Sequence, residues 1–446
     1  MWIFVLLLLV QFAISTALSV LNLAHLKKSA ASPPPEWAER LDLSQFPRMI
    51  AYMVDKNRLG HAARLVSLAA TLAVLLSGLL PALARCASTL AVLPSGLLPG
   101  VFQGVILLAV LSAISYLTDL PFDLLSQFGV EKKFGFSTIT VKTWLADQFK
   151  SLLISAILGV LLGGGLLALI GWLGRWWWLP AWALFSLFEL LMMFLAPVLI
   201  LPLFNKFEPL QDEALGESIM ALARQAQFPL AGVFQVDASL RSTHSNAYFT
   251  GLGKTRRIAL FDTLIAQHTR EEILAVLAHE IGHWKKRHIL KMFVATTLAS
   301  GAGFWLVSRL LDLPWLYRAI GAADLYASSG VVGAIAALGM FLVGLLLSPL
   351  GLFLSPIAAW VSRRHEYEAD AYSLALYPNP TALEDGLIRL NEKNLSNLFP
   401  HPLVVLFYYS HPPLLQRVAA IRAAAIRAKR VDKERVDKGR IDKDSG

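Results

Sequence analysis

Apolar residues fall in long, nearly unbroken runs along this chain, and polar residues collect between them. A run of about 20 apolar residues can cross a bilayer as a helix. Seven runs reach that length: Trp2–Ala24, Leu65–Ala84, Val101–Leu120, Ser151–Leu173, Trp177–Leu201, Ile289–Val307 and Val331–Ile357. Gly78 and Pro81 interrupt the second, and Lys291 sits inside the sixth. The segment Ala87–Pro99 is too short to span and reads as a re-entrant or interfacial turn. The first run is read as a retained anchor. No Lys or Arg precedes it, no small-x-small cleavage site follows it, and Lys27 and Lys28 come directly after it.

Composition agrees with a membrane protein. Of 446 residues, 56% are hydrophobic and only 16% charged, where soluble domains are about a quarter charged. Cys86 is the only cysteine, which excludes an intrachain disulfide framework. The net charge of +9 would suggest nucleic acid in a soluble protein. Here the basic residues favour every second loop, so no nucleic-acid partner is expected. Lys27–Arg64, Lys132–Lys150, Lys206–Arg287 and the tail from Arg363 are rich in them, whereas the loop after the second run has Arg85 alone. The positive-inside rule then places the N-terminus outside and the C-terminus in the cytoplasm, and an odd number of spans agrees with termini on opposite sides. The expected organisation is five helices and their loops over 1–204, a polar segment over 205–288, two helices over 289–360, and a second polar segment over 361–429. A charged tail with a near-repeated Arg-Val-Asp-Lys, expected to be disordered, closes the chain over 430–446.

The chemistry gathers in the two polar segments, on one side of the membrane. Thr269-Arg-Glu-Glu272 has the form of a capping box, and the apolar periodicity after it predicts a helix over Arg270–Lys286. That helix contains His279-Glu280-Ile281-Gly282-His283. Residues four apart share a helix face, so His279 and His283 can grip one ion, with Glu280 about 100° round as a general base toward water. A catalytic zinc takes three protein ligands and keeps one position open. The candidates for the third ligand lie in Glu366-Tyr-Glu368-Ala-Asp370, where Glu366 and Asp370 share a face and Glu368 points elsewhere. One of the pair can bind the ion while the other orients a ligand histidine, and spacing does not say which. The bland reading is a solvated helix end with Arg–Glu pairs.

The motifs His279–Trp284 and Glu366–Asp370 resemble those of the type 1 CAAX prenyl proteases, integral-membrane metalloproteases. Leu120–Leu125, Glu131–Phe136, Pro202–Leu210, Arg241–Phe249, Ile258–Leu264 and Ser410–Arg417 are similar to that family as well. The resemblance implies a fold: an all-α membrane protein whose seven transmembrane helices form an α-barrel around an internal chamber, closed by a cytoplasmic gluzincin-like zinc metalloprotease domain. It implies His279, His283 and Glu366 as ligands of one zinc ion and Glu280 as the general base. It further implies Asp370 behind a ligand histidine, Asn246 on the substrate backbone, and His411 beside the scissile carbonyl, supported by Arg417. A peptide adding as a strand near Asn246–Gly251 completes this reading. The implied partners are the lipid bilayer and a peptide or protein substrate, lipidated or membrane-associated. The tail Arg440–Gly446 lacks a dilysine-type signal, and the insert between the last two spans is compact. Both fit a bacterial inner-membrane or an organellar member better than one of the endoplasmic reticulum, which is the membrane expected if the chain is eukaryotic.

A general quality-control protease without prenyl specificity, and a zinc-bound scaffold or transporter, are the alternatives. Other residues are read more plainly. His244 is a polar loop residue, His288 an interfacial end to a basic run, and Glu189 a group near an interface or a watery chamber. Gly163–Gly165 serves packing, and Cys86 is inert.

Overall fold

The computed structural model describes residues 1–38, 40–90, 97–250 and 256–427. The 430–446 tail, Gly251 and the middle of the Ala87–Pro99 turn lie outside them. Among the described residues seven helices are long and apolar enough to cross a membrane. The principal helices are α1 (Trp2–Ala31), α2 (Phe46–Leu76), α3 (Leu79–Thr89), α4 (Leu97–Leu124), α5 (Val141–Leu173), α6 (Trp178–Leu195), α7 (Glu213–Gln225), α8 (Arg270–Lys285), α9 (His288–Leu311), α10 (Gly333–Leu376) and α11 (Pro380–Lys393). The chain divides into two compact units. One comprises 1–20, 54–196 and 292–354, the other 21–53, 197–291 and 355–446.

Three apolar runs end differently from the reading above. The second span is α2, which starts at Phe46 and stops at Leu76, not at Ala84. Gly78 adopts φ 78°, a left-handed conformation that glycine takes without steric cost, and breaks the helix. The third run does not stop at Leu120. It passes through Pro121 and continues as wider π-helical turns over Leu125–Glu131, so part of the expected polar loop is helical. The seventh run and the acidic motif form a single 44-residue helix, α10, unbroken across the expected boundary at 360.

The first unit is built from helices joined by short loops, and all four described strands lie outside it. Its core joins Phe4, Leu75, Leu107, Leu167, Leu311 and Leu338. Small residues permit the closest approach. A Cβ on Gly104 would lie 2.8 Å from the Gly333 carbonyl oxygen, so α4 and the start of α10 meet backbone to backbone. Cβ atoms on Gly163, Gly164 and Gly165 would meet Leu108, Val101 and Leu184 at ordinary contact distances, in keeping with a packing role. Aliphatic side chains such as Leu117, Leu161 and Leu298 point outward, as lipid-facing positions do.

The second unit carries what the all-α expectation omitted, a four-stranded sheet in the order β1 (Phe207–Pro209), β2 (Leu230–Val236), β4 (Arg256–Phe261), β3 (Ala247–Thr250). β2 and β4 run parallel, and the two outer pairs are antiparallel. Among the described residues β3 is thus an edge strand, paired with β4 alone. Ile258 and Leu260 of β4 pack with Leu215 and Ile219 of α7 and with Ile273, Leu277 and Ile281 of α8. That apolar face holds α8 against the sheet.

His268, in the turn before α8, is buried, and neither ring nitrogen makes a hydrogen bond of good geometry. Burial lowers its pKa below the ordinary 6.5, against the opposing charge of Glu272. The folded state therefore prefers the neutral ring. Its contribution is complete above the unfolded value and is lost as pH falls from 6.5 through the folded value. The thermal midpoint is expected to drop between pH 7 and pH 5, and His268→Phe to flatten part of that drop. Identical pH profiles for the two proteins would contradict this account.

Candidate active site

Helix α8 opens on the capping box expected from the sequence. Thr269 Oγ1 accepts from Glu272 N, and the Glu272 carboxylate accepts from Thr269 N at 3.0 Å. Glu272 also pairs with Arg389 of α11 at 3.0 Å, which fixes the start of the helix. Three turns on, His279 and His283 lie on one face with their Nε2 atoms 3.1 Å apart. Glu366, from the far half of α10, meets them. Its Oε2 lies 3.4 Å from His279 Nε2, and its Oε1 lies 3.3 Å from His283 Nε2.

Gly282, one of the two variable positions of the motif, makes this meeting possible. A Cβ there would lie 2.9 Å from the Ala369 carbonyl oxygen and 3.0 Å from its Cα. Helices α8 and α10 therefore cross in backbone contact at the metal-binding motifs. Ser373 Oγ donates to the Ala275 carbonyl at 3.0 Å one turn away and locks the crossing. Spacing had left Glu366 and Asp370 as alternatives for the third ligand, and the crossing separates them. Glu366 faces both Nε2 atoms, whereas Asp370 Oδ1 lies 2.8 Å from His279 Nδ1, on the other side of the ring.

The three donors fit a metal ion. Ligands about 2.0–2.1 Å from a tetrahedral zinc lie about 3.3 Å from one another, close to the spacings seen here. Two imidazoles and a carboxylate form a donor set used at catalytic zinc sites with one open position. Glu366 Oε2 is fully buried and makes no hydrogen bond of good geometry, as expected of an oxygen reserved for an ion. Among the described residues these three form the one such group.

Arg417, from the helix over 414–427, sets the electrostatics. It is buried and grips Asp370 in two bonds, Nε to Oδ2 and Nη2 to Oδ1, each 2.7 Å. Its Nη1 lies 3.5 Å from Glu366 Oε2. Burial opposes its charge, but the carboxylates of Asp370 and Glu366 outweigh burial and raise its pKa. Arg417 thus bonds Asp370, and its Nη2 also lies 2.9 Å from His279 Nδ1 and 3.1 Å from His279 Nε2, whereas the sequence reading had it supporting His411. His411 stands at the rim, its side chain 65% exposed, with Nε2 3.5 Å from Glu366 Oε1 and Nδ1 2.9 Å from Ser410 Oγ. Partial enclosure by the groove, ahead of the positive charge of Arg417, lowers its pKa.

A groove of about 600 Å³ opens over these groups. Glu280, His411 and Asn246 line it, and so do Leu383, Leu387 and Leu390 of α11. Asn246 is exposed just before edge strand β3. Its Oδ1 accepts from Ala247 N at 2.8 Å, which leaves its side-chain N–H groups as what it can offer a ligand.

Two residues carry more than the sequence suggested. His288 is not interfacial but buried, with Nδ1 3.0 Å from His283 Nδ1 and Nε2 3.1 Å from Glu368 Oε2. Glu368 does point away from the metal ligands, as expected, but toward His288. The signal available in the sequence was a third histidine five residues after the second. His244 keeps the bland role, with Nδ1 2.8 Å from Asn394 Oδ1. Glu189 lies in α6 with a buried Oε2 that makes no hydrogen bond.

Comparison with known proteins agrees with this geometry. Residues 22–206 match the family model described as CAAX prenyl protease N-terminal, five membrane helices, and residues 209–425 match peptidase family M48. CAAX prenyl protease 1 of Saccharomyces cerevisiae is 39% identical over 70% of this chain and 71% of its own length. The CAAX prenyl protease 1 homolog of Arabidopsis thaliana is 35% identical over 93% of this chain and 95% of its own. The crystal structure of S. mikatae Ste24p superposes with a TM-score of 0.85 at 35% identity, covering 94% of this chain and 98% of that one. These relatives are eukaryotic and lend no support to the bacterial source read from the tail.

The crossing at Gly282 generates a prediction. Gly282→Ala forces backbone apart and is expected to cost about 1–3 kcal/mol, the usual penalty of overpacking. Thermal melting and metal analysis of the purified variant should show a lower midpoint and reduced metal occupancy together. Wild-type values of both would contradict the close crossing.

Proposed function

Because the chain belongs to the CAAX prenyl protease 1 family, within peptidase family M48, we propose that His279, His283 and Glu366 hold a single catalytic zinc ion and that Glu280 is the general base of peptide hydrolysis. The chain is a multi-pass membrane metalloprotease of that type. The observation that carries the assignment is the meeting of two Nε2 atoms and one buried carboxylate beneath a groove that Glu280 also lines. When bound, zinc supplies Lewis acidity, polarising a peptide carbonyl and acidifying water.

The remaining work falls to side chains. Glu280 accepts a proton from water at its carboxylate and delivers it to the departing amine nitrogen. Asp370 accepts from His279 Nδ1–H, which keeps Nε2 of that ring as the donor atom toward zinc. In this reading His411 carries its hydrogen on Nε2, toward the developing oxyanion, which requires Ser410 Oγ, 2.9 Å from Nδ1, to be the donor of that contact. Arg417 holds Asp370 in place. A substrate adds to the edge of β3 as an extended strand, with Asn246 donating to its backbone carbonyl. The wall formed by Leu383, Leu387 and Leu390 favours aliphatic side chains beside the cut bond.

The substrate we propose is a prenylated protein ending in a CAAX sequence, by analogy with the relatives' names. The loop charges support a cytoplasmic site with the N-terminus on the opposite side.

Matched quenched-fluorescence peptides, one farnesylated CAAX and one unprenylated, test this with purified protein. Glu280→Gln is expected to retain zinc and lose about 10²–10⁴-fold in rate. Faster cleavage of the farnesylated peptide supports the CAAX role. Equal cleavage of both replaces it with general quality control, and undiminished activity in Glu280→Gln contradicts the mechanism.

A further inference from the structure

The two histidines of the motif are held from behind in different ways. His279 Nδ1 meets a carboxylate directly, Asp370 Oδ1 at 2.8 Å. His283 Nδ1 meets no carboxylate. It meets another imidazole, His288 Nδ1 at 3.0 Å, whose Nε2 in turn lies 3.1 Å from Glu368 Oε2. We propose that His288 and Glu368 are positioning residues for the metal centre, forming a relay in which His288 sets the tautomer and ring orientation of His283 and Glu368 sets those of His288.

The tautomers follow from the donor requirements. With Nε2 of His283 turned to the ion, its hydrogen must sit on Nδ1. That N–H donates to His288 Nδ1, which must then be the bare nitrogen of a neutral ring. The hydrogen of His288 therefore sits on Nε2 and donates to the Glu368 carboxylate. Every group in the chain has one consistent role, and the direction of donation runs outward from the metal site.

The surroundings hold this arrangement in place. Only 3% of His288 is exposed, so no water need compete for its nitrogens. The ring of His365 stacks on it at 4.0 Å with an interplanar angle of 11°. Glu368, by contrast, is partly exposed, with Arg364 Nε at 3.5 Å and Lys291 Nζ at 3.9 Å. The backbone delivers His288 to this position by a turn. Helix α8 ends at Lys285, Arg287 takes φ 56°, and α9 begins at His288. A non-glycine residue in that conformation is uncommon and is held by its surroundings. Here it folds the chain back so that His288 faces His283 and not lipid.

The proposal rests on zinc binding at His279, His283 and Glu366, and its test separates the two readings. Zinc affinity is measured by chelator competition on the full-length protein in detergent, alongside the thermal midpoint of the metal-free form. His288→Phe keeps a ring to stack on His365 and removes the acceptor. His288→Gln restores an acceptor, and Glu368→Ala removes the outer carboxylate at a partly exposed position. Loss of such an outer partner is expected to weaken zinc binding by about 10–100-fold in His288→Phe. Affinity should return to within about threefold of wild type in His288→Gln, with an intermediate loss in Glu368→Ala. This pattern, with similar metal-free midpoints, supports the relay. Equal affinity in His288→Phe and wild type overturns it, and so does an equal loss in His288→Phe and His288→Gln. If His288→Phe does not fold, Glu368→Ala decides, since unchanged affinity there overturns the relay. A wild-type protein that binds no zinc defeats the site assignment itself.

Discussion

The candidate site depends on one buried guanidinium. Glu366 and Asp370 are two carboxylates one helical turn apart, both almost wholly buried. Two such charges cannot be left unpaired in a protein interior. Arg417 answers both, bidentate to Asp370 and close to Glu366. Charge-assisted bidentate pairs of this kind are short and directional. They fix the rotamer of Asp370, and Asp370 fixes the ring of His279. Removing one partner of such a pair typically costs about 3–5 kcal/mol, because the other is stranded. The guanidinium therefore orders three elements at once: α8, α10 and the helix over 414–427.

Close backbone packing supplies what charge cannot. Ligand geometry must hold to a few tenths of an ångström for three donors to share one ion, and side chains on separate helices drift when the helices do. Gly282 against Ala369 sets the distance between α8 and α10, and Ser373 against Ala275 sets their register. The same device recurs in the membrane unit, where Gly104 meets Gly333. Helices in lipid gain no hydrophobic advantage from meeting one another, so small residues and close contact do the work.

Much of this was legible in the chain, and the exceptions have physical causes. The two histidines and Glu280 could be placed because a single helix with a known period carries them. Seven spans could be counted because lipid demands long apolar runs. Which of Glu366 and Asp370 faces the donors depended on a crossing between distant segments, and spacing along one helix holds no such information. His288 was hidden for a related reason. It follows a left-handed residue, Arg287, so helical periodicity carried through the break points it the wrong way. The sheet was missed because its strands are 3–7 residues long and lie within a polar stretch. The end of the second span turned on one glycine, Gly78, whose conformation overrode the apolar residues beyond it.

The central claim is that one zinc ion is bound by two imidazoles and one carboxylate. Zinc K-edge X-ray absorption on the purified protein tests it most directly. The account predicts only nitrogen and oxygen neighbours at about 2.0–2.1 Å, with the outer-shell scattering of two imidazole rings. A sulfur neighbour at about 2.3 Å would implicate Cys86, and scattering from fewer than two imidazoles would remove a ligand histidine. Either result would contradict the site described here.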